Sequence, residues 1–233
     1  MSRKTAFFFS YPSLSTGQGL DLETLKNTAI LCPLNAEVDM INTIGMSKLP
    51  GEAIHSLSFD RISEEEGVFK YTTEYLNSLN FSGFPAHDLI LKVGAPMMST
   101  MTFDASQKLC NGTRVKILEI RKRVLKVQLL EEKTIVFIPK ITLYKKDPAI
   151  VYTLKRTQFP LRPAFAFTIN KAQGQTLQKL GLYLSSECFS HGQLYVALSR
   201  CPNPNKICIF NKPVDGQKHI SFTRNVIFPG VYD

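Results

Sequence analysis

With 233 residues, 44% hydrophobic and 20% charged, the chain has a globular composition, long enough for one large domain or two small ones; nothing in it suggests a disordered or collagenous polymer. Its 28 lysines and arginines against 19 aspartates and glutamates leave a formal charge of +9, so a polyanion, nucleic acid first, is the expected partner, with solubility alone the competing reading. Five cysteines without a C-x-x-C pair exclude a disulfide framework or zinc knuckle and point to a reducing, intracellular compartment, and no run approaches the ~18 apolar residues of a membrane span.

At the N-terminus, Arg3 and Lys4 precede apolar residues 6–9 in the manner of a signal peptide. The run is too short and no small-residue cleavage site follows, so Phe7, Phe8 and Phe9 are expected in a strand or packing arm. Residues 21–26 suit a short helix with Leu22 and Leu25 inward. Residues 29–32 form an apolar run expected as a buried strand, and Asn35 is a plausible N-cap. Val38, Ile41 and Ile44 then recur at helical spacing. Between residues 49 and 83 the signals are short: Leu57 and Phe59 alternate, residues 64–66 read as a solvated acidic loop, and Thr73 is placed as the cap of a helix carrying Leu76 and Leu79.

From Asp88 the period changes to two. Leu89, Leu91 and Val93 alternate, Asn111-Gly112 is a turn dipeptide, and residues 115–120, 124–130 and 134–138 follow at the rhythm of a small β-barrel, which places an all-β module at 88–145. Arg114, Lys116, Arg121, Lys122, Arg123 and Lys126 concentrate positive charge there. They are read either as a phosphate-contacting surface or as a solvated hairpin tip.

The chain is organised around residues 159–200. Residues 164–167 read as a buried strand that ends at Thr168, with Asn170 and Lys171 at the start of a helix over 172–177, where open α/β sheets gather phosphates and other ligands. Ser190 and Gln193 form a Ser-x-x-Gln capping box before a second helix with Leu194, Ala197 and Leu198 on one face. Cys201-Pro202 stops that helix just after Arg200. Residues 206–210 supply a last strand, and the tail beyond Lys212 is expected to pack loosely.

Taken together, AILCPLNAEVDMIN, LPGE, EYLNSLNFSGFPAHDLILKVGAPMM, LCNGTR, QFPLRPAFAFTINKAQGQTL and FSHGQLYVALSR closely resemble, in this order, the C-terminal half of the petite-integration-frequency (Pif) family of DNA helicases, in the version of the Helitron-like subgroup. The resemblance covers residues 29–210. It implies an α/β fold, a second RecA-like domain of the P-loop NTPase helicase type with an inserted small SH3-like β-barrel. The domains expected from it are an N-terminal arm at 1–28, RecA-like parts at 29–87 and 146–211 around the β module at 88–145, and a tail at 212–233.

The resemblance implies roles residue by residue. Arg200 would be an arginine finger, Gln173 and Gly174 would sit near the nucleotide, and Thr168, Asn170 and Lys171 would face the DNA backbone, with Arg114 and Lys116 as further nucleic-acid contacts. A structural reading stands beside each: Arg200 as a cation in a last helical turn, Gly174 as a helix irregularity, Lys171 as a solvated lysine. His191 reads as a residue of the capping turn, and Tyr195 as either core or ligand. The family enzyme would use ATP and Mg²⁺, move 5′ to 3′ on single-stranded DNA, and serve DNA repair, recombination and telomere maintenance in the nucleus, or alternatively the mitochondrion.

The departures set limits. No G-x-x-x-x-G-K-[ST] occurs and no acidic pair follows an apolar strand ahead of Ala29. The expectation is therefore a truncated copy without the first RecA-like domain, with no resident metal and negligible ATPase by itself. Ser99 and the residues to Phe103 replace a Leu-Leu-Arg-Asn run of relatives, and Lys140 stands where many have Arg. Three alternatives remain open: a non-catalytic single-stranded DNA-binding module, a partner of a first RecA-like domain supplied in trans, and the inert product of a decayed mobile element.

Overall fold

The computed structural model describes residues 3–62, 71–81, 83–104, 106, 108–146, 152–211 and 225–226. The acidic loop at 64–66 and all but two residues of the tail lie outside them. The chain divides into two compact units, one of Met1–Pro50 with Pro163–Asp233 and one of Gly51–Arg162.

The first unit is built on β1 (Thr28–Cys32), whose five residues are all buried. An apolar run of this kind suits a central strand covered on both faces. β1 pairs in parallel with β12 (Ala166–Thr168) and β13 (Lys179–Leu184), and β13 with β14 (Ile207–Asn211), giving the order β12-β1-β13-β14. α2 (Leu22–Asn27) leads into β1, capped by the Asp21 carboxylate, which accepts from the Thr24 N–H at 2.6 Å. α3 (Asn35–Lys48) buries Val38, Ile41, Asn42, Gly45 and Met46, one stripe at helical spacing. Its N-cap is Leu34, with no side-chain cap bond, so Asn35 is the first helical residue and not the cap.

Two features of α3 hold the edge strand. The Asn42 Nδ2 donates to the Ala166 carbonyl at 3.0 Å, and the Ala166 N–H donates to Asn42 Oδ1 at 2.9 Å. A side-chain amide thus satisfies both backbone groups of a buried residue. Gly45 lets the helix close on the Phe165 ring, where an added Cβ would stand 2.6 Å from Cγ. From the other side, Phe7 and Tyr11 meet Phe165 edge-on at 5.9 and 5.6 Å, and the Tyr11 hydroxyl donates to the Phe165 carbonyl at 2.8 Å. Phe7, Phe8 and Phe9 therefore lie in a helix, α1 (Arg3–Ser10), not a strand. Helical spacing puts both Phe7 and Tyr11 on the same buried side.

The second unit is mainly antiparallel. β5 (Pro96–Ser99), β6 (Arg114–Ile120), β7 (Val124–Leu129) and β8 (Ile135–Pro139) run in order with β11 (Leu161–Pro163) at the edge beside β5. β7 alternates buried and half-buried residues along its whole length, the period read from the sequence. β2 (Ile54–Leu57) pairs with β4 (Asp88–Leu91). β3 (Phe59–Ile62), β10 (Thr153–Gln158) and β9 (Ile141–Lys146) form a third sheet in the order β3-β10-β9. α4 (Thr73–Ser78) begins one residue earlier than expected, because the hydroxyl of Thr72, not Thr73, accepts from the Tyr75 N–H at 3.2 Å.

This compact unit is wider than 88–145. β10 pairs with β3, almost a hundred residues earlier, and the pairing draws residues 51–87 and 152–162 in with the β strands. Arg156 fastens the pairing. Its side chain is fully buried, its Nε and Nη2 donate to Asp60 at 3.0 and 2.7 Å, and Nη1 and Nη2 donate to the carbonyls of Leu79, Pro85 and Leu76 at 3.1 Å.

Candidate functional site

β12 ends at Thr168 on the carboxyl edge of the parallel sheet, beside Cys32 of β1. The chain then makes a 3-10 helix at Ile169–Ala172 and no further helical turn. The helix expected over 172–177 is absent: Gln173 leaves helical geometry at ψ 129° and Gly174 follows at φ +83°, a left-handed conformation that a right-handed helix cannot propagate through. Glycine is needed there for its backbone, and the polar residues do not sit on a long helix N-terminus. Ile169 and Ala172 are buried, while Asn170, Lys171, Gln173 and Gly174 are exposed and Thr168 is half-buried.

Arg200 lies just beyond α5 (Gln193–Leu198) and is half-buried. Its Nε donates to the Val196 carbonyl at 3.0 Å, Nη2 to the Ser199 hydroxyl at 2.9 Å and Nη1 to the Gln175 carbonyl at 3.4 Å. Three of five guanidinium donors thus hold the cation on the carboxyl end of its own helix and on the loop after Gly174. The Leu177 N–H donates to the Arg200 carbonyl at 2.8 Å, and Gln175 Nε2 donates back to the Lys171 carbonyl at 3.3 Å. Gln175, not singled out from the sequence, is therefore the link between Arg200 and the Lys171 turn. Thr168, Asn170, Lys171, Gln173 and Gly174 lie on the connection after β12, and Arg200, from beyond α5, bonds to that connection at Gln175 and Leu177.

The capping box is also altered. The residue ahead of α5 is Gly192 at φ +69°, and no side-chain oxygen caps the helix. Gln193 is buried and its Oε1 accepts from the Phe189 N–H at 3.1 Å, closing the loop before the helix. Tyr195 is 73% exposed, which decides against a core role, and Leu194 and Ala197 face inward.

Glu37 carries a second link at the carboxyl edge. Its Oε1 accepts from the Ser185 hydroxyl and from the Ser186 N–H at 3.0 Å, pinning the loop after β13 to the first turn of α3. Burial and then the Glu37 charge raise the Cys32 thiol well above its ordinary range, and the same two causes raise Cys188. All five cysteines are free. Glu37 and Asn42 both lie within the AILCPLNAEVDMIN stretch. An Asn in line with Val38, Ile41 and Gly45 was the available signal, since a polar side chain on an apolar stripe needs partners.

Arg114 and Lys116 belong to the second unit. Arg114 is 8% exposed, so it does not offer a phosphate contact at the surface; Lys116, two residues on, is half-buried, and Arg121, Lys122 and Arg123 are exposed at the turn after β6. Arg121 pairs with Glu119 at 2.6 Å. A cleft of about 350 Å³ in this unit is lined by His55, Leu57, Arg121, Lys122, Lys140 and Phe159, among others. Lys140 Nζ donates to the Leu57 carbonyl at 2.9 Å and stands 5.3 Å from the Phe159 ring centroid, and its burial lowers the pKa of the ammonium.

Residues 74–120, from α4 through β6, match the family model of the DNA helicase Pif1 2B domain. The chain is 32% identical over 176 residues to the ATP-dependent DNA helicase PIF1 of Xenopus laevis, and 29% identical over 206 residues to the ATP-dependent DNA helicase Pif1 of Campylobacter jejuni. Over part of its length the chain is thus similar to the Pif family of helicases.

The alignments take in 74% and 82% of the chain but 26% and 44% of those relatives, so the chain spans less than half the length of either Pif1 protein. The crystal structure of Bacteroides Pif1 bound to single-stranded DNA matches 78% of the chain and 40% of its own, with a TM-score of 0.57 at 26% identity. The Pif1 helicase of Candida albicans matches 91% of the chain with a TM-score of 0.59 at 24% identity, a likeness of fold alone. The α/β unit thus has the RecA-like helicase fold of its Pif1 neighbours.

Proposed function

We propose that this chain is the C-terminal part of an ATP-dependent 5′–3′ DNA helicase: its α/β unit is the second RecA-like domain and its β unit carries the SH3-like insertion. The observation that supports the reading is the link of Arg200 through Gln175 to Lys171, on the connection that also carries Asn170, Gln173 and Gly174. In such a site the planar guanidinium of Arg200 stabilises charge on the transferring phosphoryl oxygens, and the exposed amide and ammonium of Asn170 and Lys171 hold DNA phosphates. Movement of Arg200 toward a nucleotide would break its bond to the Gln175 carbonyl and so alter the turn that holds Lys171.

The residues present fit one side of a nucleotide only. Arg200 is a half-buried cation held by three neutral acceptors, for which an anionic phosphate would be a stronger partner. For Mg²⁺ there is no ligand set: among the described residues no group of three or more His, Cys, Asp or Glu could hold a metal. ATP, when bound, supplies the phosphoryl group whose hydrolysis drives translocation. A phosphate loop must come from residues other than these 233, in cis or in trans.

The alternative, a DNA-binding module without catalysis, draws on the +9 charge and the exposed Lys171, Lys122 and Arg123. One experiment covers both. The purified chain should bind oligo(dT) with an affinity that falls steeply as salt rises, weakened by Lys171→Ala, and should turn over negligible ATP. DNA-stimulated turnover lost in Arg200→Ala overturns the ATP half; a binding curve flat in salt overturns the DNA half.

A further inference from the structure

The three-stranded sheet β3-β10-β9 has two unlike faces. Inward, Asp60, Leu154, Arg156 and Gln158 are buried. Outward, the registers set Phe59 beside Thr157 and Thr142, then Arg61 beside Lys155 and Tyr144, then Thr153 beside Lys146. The Thr142 and Thr157 hydroxyls meet at 2.8 Å and Lys155 Nζ stands 5.7 Å from the Tyr144 ring centroid, so these side chains do share one face. Phe59 and Tyr144 are each 65% exposed, which is unusual for large rings on a well-paired sheet.

We propose that this outer face is a stacking platform for single-stranded DNA, with bases on the Phe59 and Tyr144 rings and phosphates on Arg61, Lys155 and Lys146. Three cations and no carboxylate occupy the face among the described residues, a charge pattern that suits a polyanion and opposes a basic protein surface. Two exposed rings answer the other half of the ligand, since every base has a π-face and stacking is tolerant of sequence. On a strand spacing of about 4.8 Å and a two-residue step of about 6.7 Å, the Phe59 and Tyr144 Cα positions stand roughly 12 Å apart, which makes them separate stacking points. The buried Arg156–Asp60 pair beneath holds β3 and β10 in register, so the rings are presented on a braced surface.

The inference rests on the reading that this chain binds DNA, and adds a surface distinct from the Lys171 turn. It is tested on the whole chain with oligo(dT) and with an oligonucleotide of equal length built from abasic units, which keeps the phosphates and removes the bases. Wild type should prefer oligo(dT), and Phe59→Ser with Tyr144→Ser should lose roughly tenfold in affinity for oligo(dT) and little for the abasic strand. Arg61→Gln with Lys155→Gln should instead weaken both and flatten the salt slope by about 0.7 per cation removed. The substituted positions are exposed, and circular dichroism checks the fold. If the double serine variant binds both strands as wild type does while Lys171→Ala weakens binding, this inference falls and the proposed function stands. If wild type binds neither strand, both fall.

Discussion

Arg156 illustrates how little a residue's type says about its task. In the sequence it is one of two basic residues in YTLKRTQF; in the structure it is the largest fully buried side chain among the described residues, with two Asp60 oxygens and three carbonyls as acceptors. Removing one partner of such a pair strands the other charge without water. Arg156→Met should therefore destabilise the chain by about 3–5 kcal/mol in urea unfolding, far more than Lys155→Met beside it on the outer face. Cys32 gives a pH test. Burial, then Glu37, raise its thiol above the ordinary value of 9.0, so the folded chain keeps a proton that the unfolded chain releases. That stability is complete below the unfolded value and is lost as pH rises through the folded one. Melting temperature should fall between about pH 8 and pH 10 in wild type and fall less in Cys32→Ala. The low exposure of Arg114 belongs to the same scale: by parity it shares a face with Lys116, opposite the buried Val115 and Ile117, so its 8% exposure is not what the alternation of β6 predicts.

Among the elements, α3 and β12 depend on each other most directly. The stripe Val38, Ile41, Gly45 was readable as a helix face, but periodicity does not name the surface it meets. That surface is Phe165 at the start of β12, and the contact explains a glycine in mid-helix. Gly45→Ala gains about 1 kcal/mol of helix propensity yet should lose about 1–3 kcal/mol overall through overpacking against the ring. Chemical denaturation would measure it, and Phe165→Leu in the same chain should recover part of the loss. The segment after Thr168 departs furthest from its sequence pattern, which predicts a helix over 172–177. Its residues have adequate helix propensity, and a single glycine at φ +83° was enough to end the turn after four residues.

At the scale of the molecule, two units with separate cores should unfold in two steps. Scanning calorimetry of the whole chain should resolve two transitions, with Arg156→Met lowering only the one from Gly51–Arg162 and Gly45→Ala only the other. A single transition that both substitutions move would count against two independent units. The charge balance read from composition belongs to this scale too, because it favours polyanions without saying where they bind.

The sequence by itself determined the βα order of the first unit, the period-two rhythm after Asp88 and the motifs that carry the family resemblance. These are local or linear properties, set by side-chain pattern and by which residues follow one another. Only the tertiary structure decided that β10 returns to β3, that Asn42 serves the backbone of Ala166, that Arg114 is buried, and that Phe59 and Tyr144 share a basic face. Each of those depends on residues tens of positions apart coming into register, and a pattern along one strand records which side is buried but not what it is buried against.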